Sequence, residues 1–519
     1  MSAPMNVLFI TADQWRGDCL SAVGHACLET PNLDRLAADG VLFKQHYAQA
    51  TPCGPSRTSL YTGMYLQNHR SVLNGTPLDA RHTNVALEAR KAGYDPVLFG
   101  YTDVSADPRR FAPGDPALRT YGGVLPGMTS VVHVDDHARP WLADLKAKGY
   151  EVPEGLLGVY RPKDVGAEAN GRGLTFAPAL FSADDSYAAF LTNALVKYLS
   201  VHVDRPWFAH VSYLPPHPPF VAPEPYHAMY DPAEVPKPVR AASVEREAAQ
   251  HPYLNYYLHN QAGSGIRYGH DSKNNLQLSD KDVLQARATY YGMVSEVDFH
   301  IGRLMDFLKE TGAYDNTLVV FTTDHGEQLG DHWQFAKYAY FDQSFHIPLI
   351  IRDPRTAAEQ ARGRQVDAFT ESVDVVPTIL ESIGVPVPSQ CDGEDLTPFN
   401  NGETPAHWRT EAHWELDFRG SVDANGDSVF GLKPDQCAMN VIRGERYKYI
   451  HFTALPPLLF DLEEDPGEFR DLAGDPDYQA IVLEYAQKML SWRMNHDERV
   501  LANTLLTPEG VVERKMPRR

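Results

Sequence analysis

Two apolar runs in this chain end in acidic residues, and they lie about three hundred positions apart. Residues 6–11 (Asn-Val-Leu-Phe-Ile-Thr) lead into Asp13-Gln14, and residues 317–323 (Thr-Leu-Val-Val-Phe-Thr-Thr) lead into Asp324-His325-Gly326-Glu327. An apolar stretch without alternation is the pattern of a parallel strand buried on both faces, with polar residues at its carboxyl end. Further strands are predicted at 96–100, 207–213 and 347–351, and helical patterns fall between them at 32–39, 184–199 and 284–311. Such alternation predicts an α/β fold, a large mixed and mostly parallel sheet sandwiched by helices, with ligands bound beyond the carboxyl ends of the strands.

From about residue 408 the texture changes to short β-like pieces at 438–443, 447–452 and 458–462, then a helix at 480–495 and a tail. This predicts a smaller C-terminal antiparallel sheet and divides the chain into residues 1–405 and 406–519. The stretch 233–281, rich in His, Asn, Gly and Ser, reads as a long insertion or lid.

Composition narrows the function. The chain of 519 residues is 43% hydrophobic and 22% charged, and no apolar run approaches the roughly 20 residues of a membrane helix. The start has no basic segment followed by an apolar one, so a cytoplasmic protein is expected. Five cysteines without a CxxC pair make no disulfide framework and fit a reducing compartment. A net charge of −21 argues against nucleic acid and anionic membranes as partners. A site for an anionic substrate would have to carry its own positive charge.

One such site is written in Thr51-Pro52-Cys53-Gly54-Pro55-Ser56-Arg57, which closes six residues later at Gly63. Pro55 suits a first helical position and Gly63 the left-handed position after a helix end, which places Cys53 near a positive helix N-terminus. Arg57 then presents a planar fork suited to sulfate, phosphate or phosphonate oxygens. The plainer alternative for Cys53 is a small buried hydrophobe. Asp13-Gln14 and Asp324-His325, at the ends of two buried strands, can converge on a metal ion where the backbone leaves strand geometry, a freedom offered by Gly326 and by Trp15-Arg16-Gly17. Their plainer alternative is helix capping.

Cys-x-Pro-Ser-Arg followed by Thr62-Gly63 resembles the signature of type I sulfatases and of their phosphonate monoester hydrolase relatives, in the alkaline phosphatase superfamily. The resemblance extends through Gly326-Glu327-Gln328-Leu329-Gly330-Asp331-His332 and Tyr447-Lys448-Tyr449-Ile450-His451. It implies an alkaline phosphatase-like fold and oxidation of Cys53 to Cα-formylglycine by a formylglycine-generating maturation enzyme. It also implies one divalent metal ion on Asp13, Gln14, Cys53, Asp324 and His325. Imidazole nitrogen beside hard oxygen donors makes Mn²⁺ the first choice, with Ca²⁺ or Zn²⁺ as alternatives. In the same way Lys337 is implied as a contact to substrate oxygens or the leaving group, His217 as general acid, and Asn74 and Tyr101 as pocket residues. By default a lone Lys is solvated, an Asn-Gly pair is a turn and a lone Tyr is packing.

The implied reaction is attack by a hydroxyl of the hydrated aldehyde on sulfur or phosphorus. A covalent ester is left on residue 53, and loss of the second hydroxyl's proton then releases the oxyanion. Many sulfatases carry Lys and His after the strand at 97–100, where this chain has Gly100-Tyr101-Thr102-Asp103. Phosphonate monoester hydrolases place a threonine at the position of Asp103. A carboxylate there and few cations favour monoanionic esters: sulfate monoesters, phosphonate monoesters and phosphate diesters. Also open on the sequence are a dedicated arylsulfatase, a phosphatase or phosphodiesterase using an unmodified side chain, and a non-catalytic anion-binding protein. Relatives of this family form tetramers, so a homo-oligomer, tetramer or dimer, is expected.

Overall fold

The computed structural model describes residues 5–134, 138–153, 156–169, 171–202, 205–260, 265–421 and 430–513. Residues 261–264 of the 233–281 insertion and 514–519 of the tail lie outside the described residues. The main sheet holds eight strands: β1 (Asn6–Ala12), β2 (Val41–Tyr47), β3 (Pro96–Gly100), β4 (Thr129–His133), β5 (Phe208–Tyr213), β6 (Thr317–Thr322), β7 (Leu349–Arg352) and β8 (Arg364–Glu371). Their order is β4-β3-β5-β1-β6-β7-β2-β8, and β7 alone runs antiparallel to its neighbours. The mixed, mostly parallel sheet is therefore as expected from the alternation of elements.

β1 and β6 sit at the centre and are buried along their whole length. Alternate residues feed two cores, as the two-residue strand period requires. Leu8 and Ile10 of β1 and Val319 and Phe321 of β6 face one layer, which includes the helices Tyr187–Leu199 and Asp280–Glu310. Val7, Phe9, Leu318 and Val320 face the other, with Leu60 and Tyr61 of the helix Cys53–Thr62 and Val376 and Ile379 of the helix Val375–Ser382. The long Asp280–Glu310 helix opens on a capping box in which Ser279 and Asp282 satisfy each other's backbone N–H groups.

The smaller sheet is antiparallel, built from β9 (Ala412–Asp417), β10 (Ala438–Arg443), β11 (Tyr447–Phe452) and β12 (Leu458–Asp461) in the order β12-β11-β10-β9. The helix Gln479–Asn495 covers one face through Tyr485 and Met489. Its other face shares a core with Tyr47, Phe345 and Phe369 from the region of the large sheet. The described part of the 233–281 insertion is not an open lid: Ala248, Tyr253, Leu254 and Leu258 from its two short helices are buried in that same core. A last hairpin pairs β13 (Thr504–Thr507) with β14 (Gly510–Glu513). No helix among the described residues is long and apolar enough to cross a membrane, and the five cysteines are free.

Candidate active site

The site begins where β1 and β6, paired in register from Asn6↔Thr317 to Thr11↔Thr322, run out together. Gln14 leaves strand geometry with a φ of 66°, so the break falls one residue before the predicted Trp15-Arg16-Gly17. Its backbone N–H donates to Asp324 Oδ1 at 3.1 Å. Thr323 Oγ1 donates to the Ala12 carbonyl and accepts from the Trp15 N–H at 3.2 Å, locking the two ends together. Gly326 serves a close approach: a Cβ there would lie 2.1 Å from the Gln343 carbonyl oxygen.

The helix Cys53–Thr62 delivers its N-terminus to this junction and ends at Gly63, which is left-handed (φ 69°) and returns its N–H to Ser59 O at 2.9 Å. Cys53 itself is the first helical residue, so Pro55 occupies the third position rather than the first, still within the turn whose N–H groups have no helical partner. Asn74 Oδ1 accepts from the Gly54 N–H at 2.8 Å and fills part of that vacancy. Ser56 Oγ donates to the Asp324 carbonyl, tying helix to strand end.

One ligand atom each from Asp13, Cys53, Asp324 and His325 lies within 4.8 Å of the others, and all four residues are buried. Three observations fit this group to a cation. Asp13 Oδ1 is buried with no hydrogen-bond partner. His325 points Nδ1 at the Gly326 carbonyl, 3.0 Å away, which leaves Nε2 as the lone-pair nitrogen 3.2 Å from Cys53 Sγ. Burial, then the neighbouring Asp324, pushes the Asp13 carboxyl up, whereas His325, Arg57 and Lys337 overcome burial and hold Asp324 down. Burial also lowers His325 to about 4 despite Asp324, so the imidazole is neutral, as a metal ligand must be. Burial, then Asp13, holds the Cys53 thiol well above its ordinary range, which opposes a free thiolate.

Arg57 is fully buried and spans the two carboxylates, with Nε 2.9 Å from Asp324 Oδ2 and Nη2 3.0 Å from Asp13 Oδ2. Its Nη1 donates to Ser212 Oγ at 2.9 Å, and its guanidinium lies 4.3 Å from the centre of the Tyr101 ring. The guanidinium expected to face a substrate thus bridges the acidic pair. Tyr101 donates its hydroxyl to Asp13 Oδ2 at 2.6 Å. Asp103, buried and left-handed at φ 51°, adds to the negative field felt by Cys53 and Tyr101.

The Gln14 side chain is held at both ends of its amide. Its Oε1 accepts from Lys337 Nζ at 2.7 Å, and its Nε2 donates to Glu327. Lys337 also reaches His217 Nε2 at 3.3 Å, while His217 Nδ1 lies 2.6 Å from the Pro218 carbonyl. Burial works against the Lys337 charge, but Cys53 and Asp13 outweigh it and the ammonium holds its proton. Burial and then Lys337 depress His217 to about 3, so His217 is neutral with its proton on Nδ1.

Residues 5–385 match the Sulfatase family. The chain belongs to the sulfatase family. Residues 330–495 also match the C-terminal region of N-sulphoglucosamine sulphohydrolase. The chain is 42% identical over 514 residues to the multifunctional alkaline phosphatase superfamily protein PehA of Trinickia caryophylli, covering 98% of this chain and 99% of that protein. Two solved structures of phosphonate monoester hydrolases superpose over nearly the whole chain. That from Agrobacterium radiobacter has a TM-score of 0.93 at 46% identity, covering 99% of this chain and 100% of its own. That from Silicibacter pomeroyi has a TM-score of 0.91 at 41% identity, covering 98% and 99%.

Set on this sulfatase fold, every site residue named from the sequence falls at one place, the carboxyl ends of β1, β3, β5 and β6 and the helix mouth between them. Two contributors went unnoticed. Glu327 stands in the Asp324-His325-Gly326-Glu327 run, and its signal is a third polar residue after a buried strand. Ser212 carried no signal, being one hydroxyl within β5. His69 and His346 are structural, held by Ser59 Oγ at 2.9 Å and the Lys44 carbonyl at 2.7 Å.

Proposed function

We propose that this chain is a formylglycine- and metal-dependent hydrolase of monoanionic esters, acting on sulfate monoesters, phosphonate monoesters and phosphate diesters with the transferred group carried on residue 53. The observation that supports it most is the partnerless Asp13 Oδ1 among Cys53, Asp324 and His325. Asp13, Asp324 and His325, joined by Gln14, would hold the cation, Mn²⁺ by first choice and Ca²⁺ or Zn²⁺ as alternatives. A divalent cation supplies Lewis-acid polarisation and charge neutralisation, and formylglycine supplies an oxygen nucleophile where a buried thiol is a poor one.

The chain's own residues do the rest. The N-terminus of the helix Cys53–Thr62 favours negative charge at residue 53. Arg57 holds the two aspartates in place against their mutual repulsion. Lys337 is the proton-bearing group beside the leaving-group side, and neutral His217, fixed by the Pro218 carbonyl, accepts a hydrogen bond from Lys337 at Nε2 and steadies its direction. This amends the expectation that His217 alone is the general acid. Asp103 opposes a second substrate charge, and Asn74 keeps the helix mouth open by holding Gly54.

Cys53 is only 5% exposed in the folded chain, which supports maturation by the formylglycine-generating enzyme before the site closes. A homo-oligomer is supported by exposed Leu483, Leu490 and Met494 on the C-terminal helix and Leu505 and Leu506 on the last hairpin. The test of function is a panel of sulfate, phosphonate and phosphate esters sharing one phenol leaving group. Turnover of the monoanionic esters well above the dianionic phosphate monoester is expected, and preference for the dianion contradicts the reading.

A further inference from the structure

Among the groups around the site, one buried carboxylate has no role in the reading above. Glu327 is fully buried. Its Oε2 accepts from Gln14 Nε2, and its Oε1 accepts from the backbone N–H groups of Leu329 at 3.0 Å and Ala336 at 2.7 Å. All three partners are donors, so the position demands a group that only accepts.

The two backbone partners are the ends of a loop whose conformation is unusual. Leu329, His332, Trp333 and Ala336 all have positive φ, at 51°, 51°, 59° and 69°. Non-glycine residues in this region are uncommon and persist where surrounding contacts over-determine them. The loop is closed by Gln328 N–H to Ala336 O at 3.0 Å and Gly330 N–H to Gln334 O at 2.7 Å. It delivers Lys337 as its next residue, and Lys337 Nζ meets Gln14 Oε1 at 2.7 Å.

We propose that Glu327 is a positioning residue that decides which end of the Gln14 amide faces the site and, by clamping the mouth of the 328–336 loop, where Lys337 stands. Holding the amide nitrogen leaves only oxygen to face Lys337, and oxygen is the donor a hard cation would require of Gln14. Without this carboxylate only the Lys337 contact fixes the direction of the amide, and nothing holds its nitrogen away from the site. The inference rests on the proposed roles of Gln14 and Lys337, so its test carries one readout that needs neither metal nor turnover.

The decisive pair is Glu327→Gln alone and Glu327→Gln combined with Gln14→Glu. In the single variant an NH₂ group meets the NH₂ of Gln14. Metal affinity, from elemental analysis across a Mn²⁺ titration, falls by about 10- to 100-fold, the usual cost of losing an orienting partner. Hydrogen exchange at the Leu329 and Ala336 amides speeds up. In the double variant the new amide nitrogen donates to the new carboxylate, and its oxygen still accepts from Leu329 and Ala336. Exchange protection and metal affinity return towards wild type. If the single variant does not fold, a folded and protected double variant is the same rescue. A double variant no better than the single, or a single variant with wild-type exchange and metal affinity, overturns the proposal. Should the wild-type protein take up no metal, the exchange pattern alone decides it, and the functional reading fails separately.

Discussion

His325 Nε2 lies 3.2 Å from Cys53 Sγ, across 272 positions of sequence, with its other nitrogen held by the Gly326 carbonyl. The imidazole therefore turns its lone pair towards the residue proposed to carry the chemistry, and this contact adds to those of Ser56 and Arg57 that join the end of a central strand to the mouth of a helix.

His325→Asn should shift metal preference, because an amide oxygen replaces a borderline nitrogen and removes the advantage of Mn²⁺ and Zn²⁺ over Ca²⁺. Elemental analysis after exposure to an equimolar mixture of the three ions checks it. Unchanged preference shows that His325 is not a ligand.

Arg57→Ala should destabilise the metal-free protein by about 3–5 kcal/mol, the typical cost of removing one partner of a buried ion pair. Asp13 and Asp324 are left facing each other. Denaturant midpoints measured in chelator and in Mn²⁺ should show a larger metal-dependent rise for the variant than for wild type, since the cation takes over the missing counter-charge. Equal rises would mean that Arg57 does not serve the acidic pair.

Most of this arrangement was legible as strand ends and less of it as contacts. Val7 to Ile10 and Leu318 to Phe321 announce buried parallel strands because both faces meet apolar layers, so their terminal polar residues had to lie on one sheet edge. β2, β4, β8 and β9 escaped because they mix polar residues into their runs: Lys44 and Gln45 interrupt β2, β4 is an edge strand with no buried residue, and β8 is a partly exposed edge strand. The direction of Arg57 was not legible either. A helix mouth shows which way an arginine starts, but only the folded site shows that two carboxylates already occupy its fork.

Lys337→Ala should cost about 10²–10⁴ in kcat for esters of weakly acidic phenols and much less for strongly acidic ones, since proton donation matters only when the departing oxygen needs it. A series of aryl sulfates of graded leaving-group acidity measures this as a steeper dependence in the variant. Parallel dependences would place Lys337 outside proton transfer.

Asp103→Asn removes a charge while keeping a side chain that tolerates the left-handed φ, which threonine does not. A unit charge about 6 Å away at an effective dielectric of about 20 is worth roughly 2–3 kcal/mol. The kcat/KM ratio of phosphate monoester dianion to sulfate monoester should therefore rise by tens to about a hundredfold. An unmoved ratio assigns the preference to the cation and Lys337 instead.

The central claim is that residue 53 reacts as formylglycine and not as cysteine. Peptide mass spectrometry of an active preparation tests it most directly, because replacing SH and one hydrogen by a carbonyl oxygen removes about 18 Da from the peptide that spans residue 53. The expected result is that mass loss, confined to this peptide, rising in step with specific activity across preparations, with no turnover from Cys53→Ala. Full activity from protein whose Cys53 carries its unmodified mass would contradict the claim.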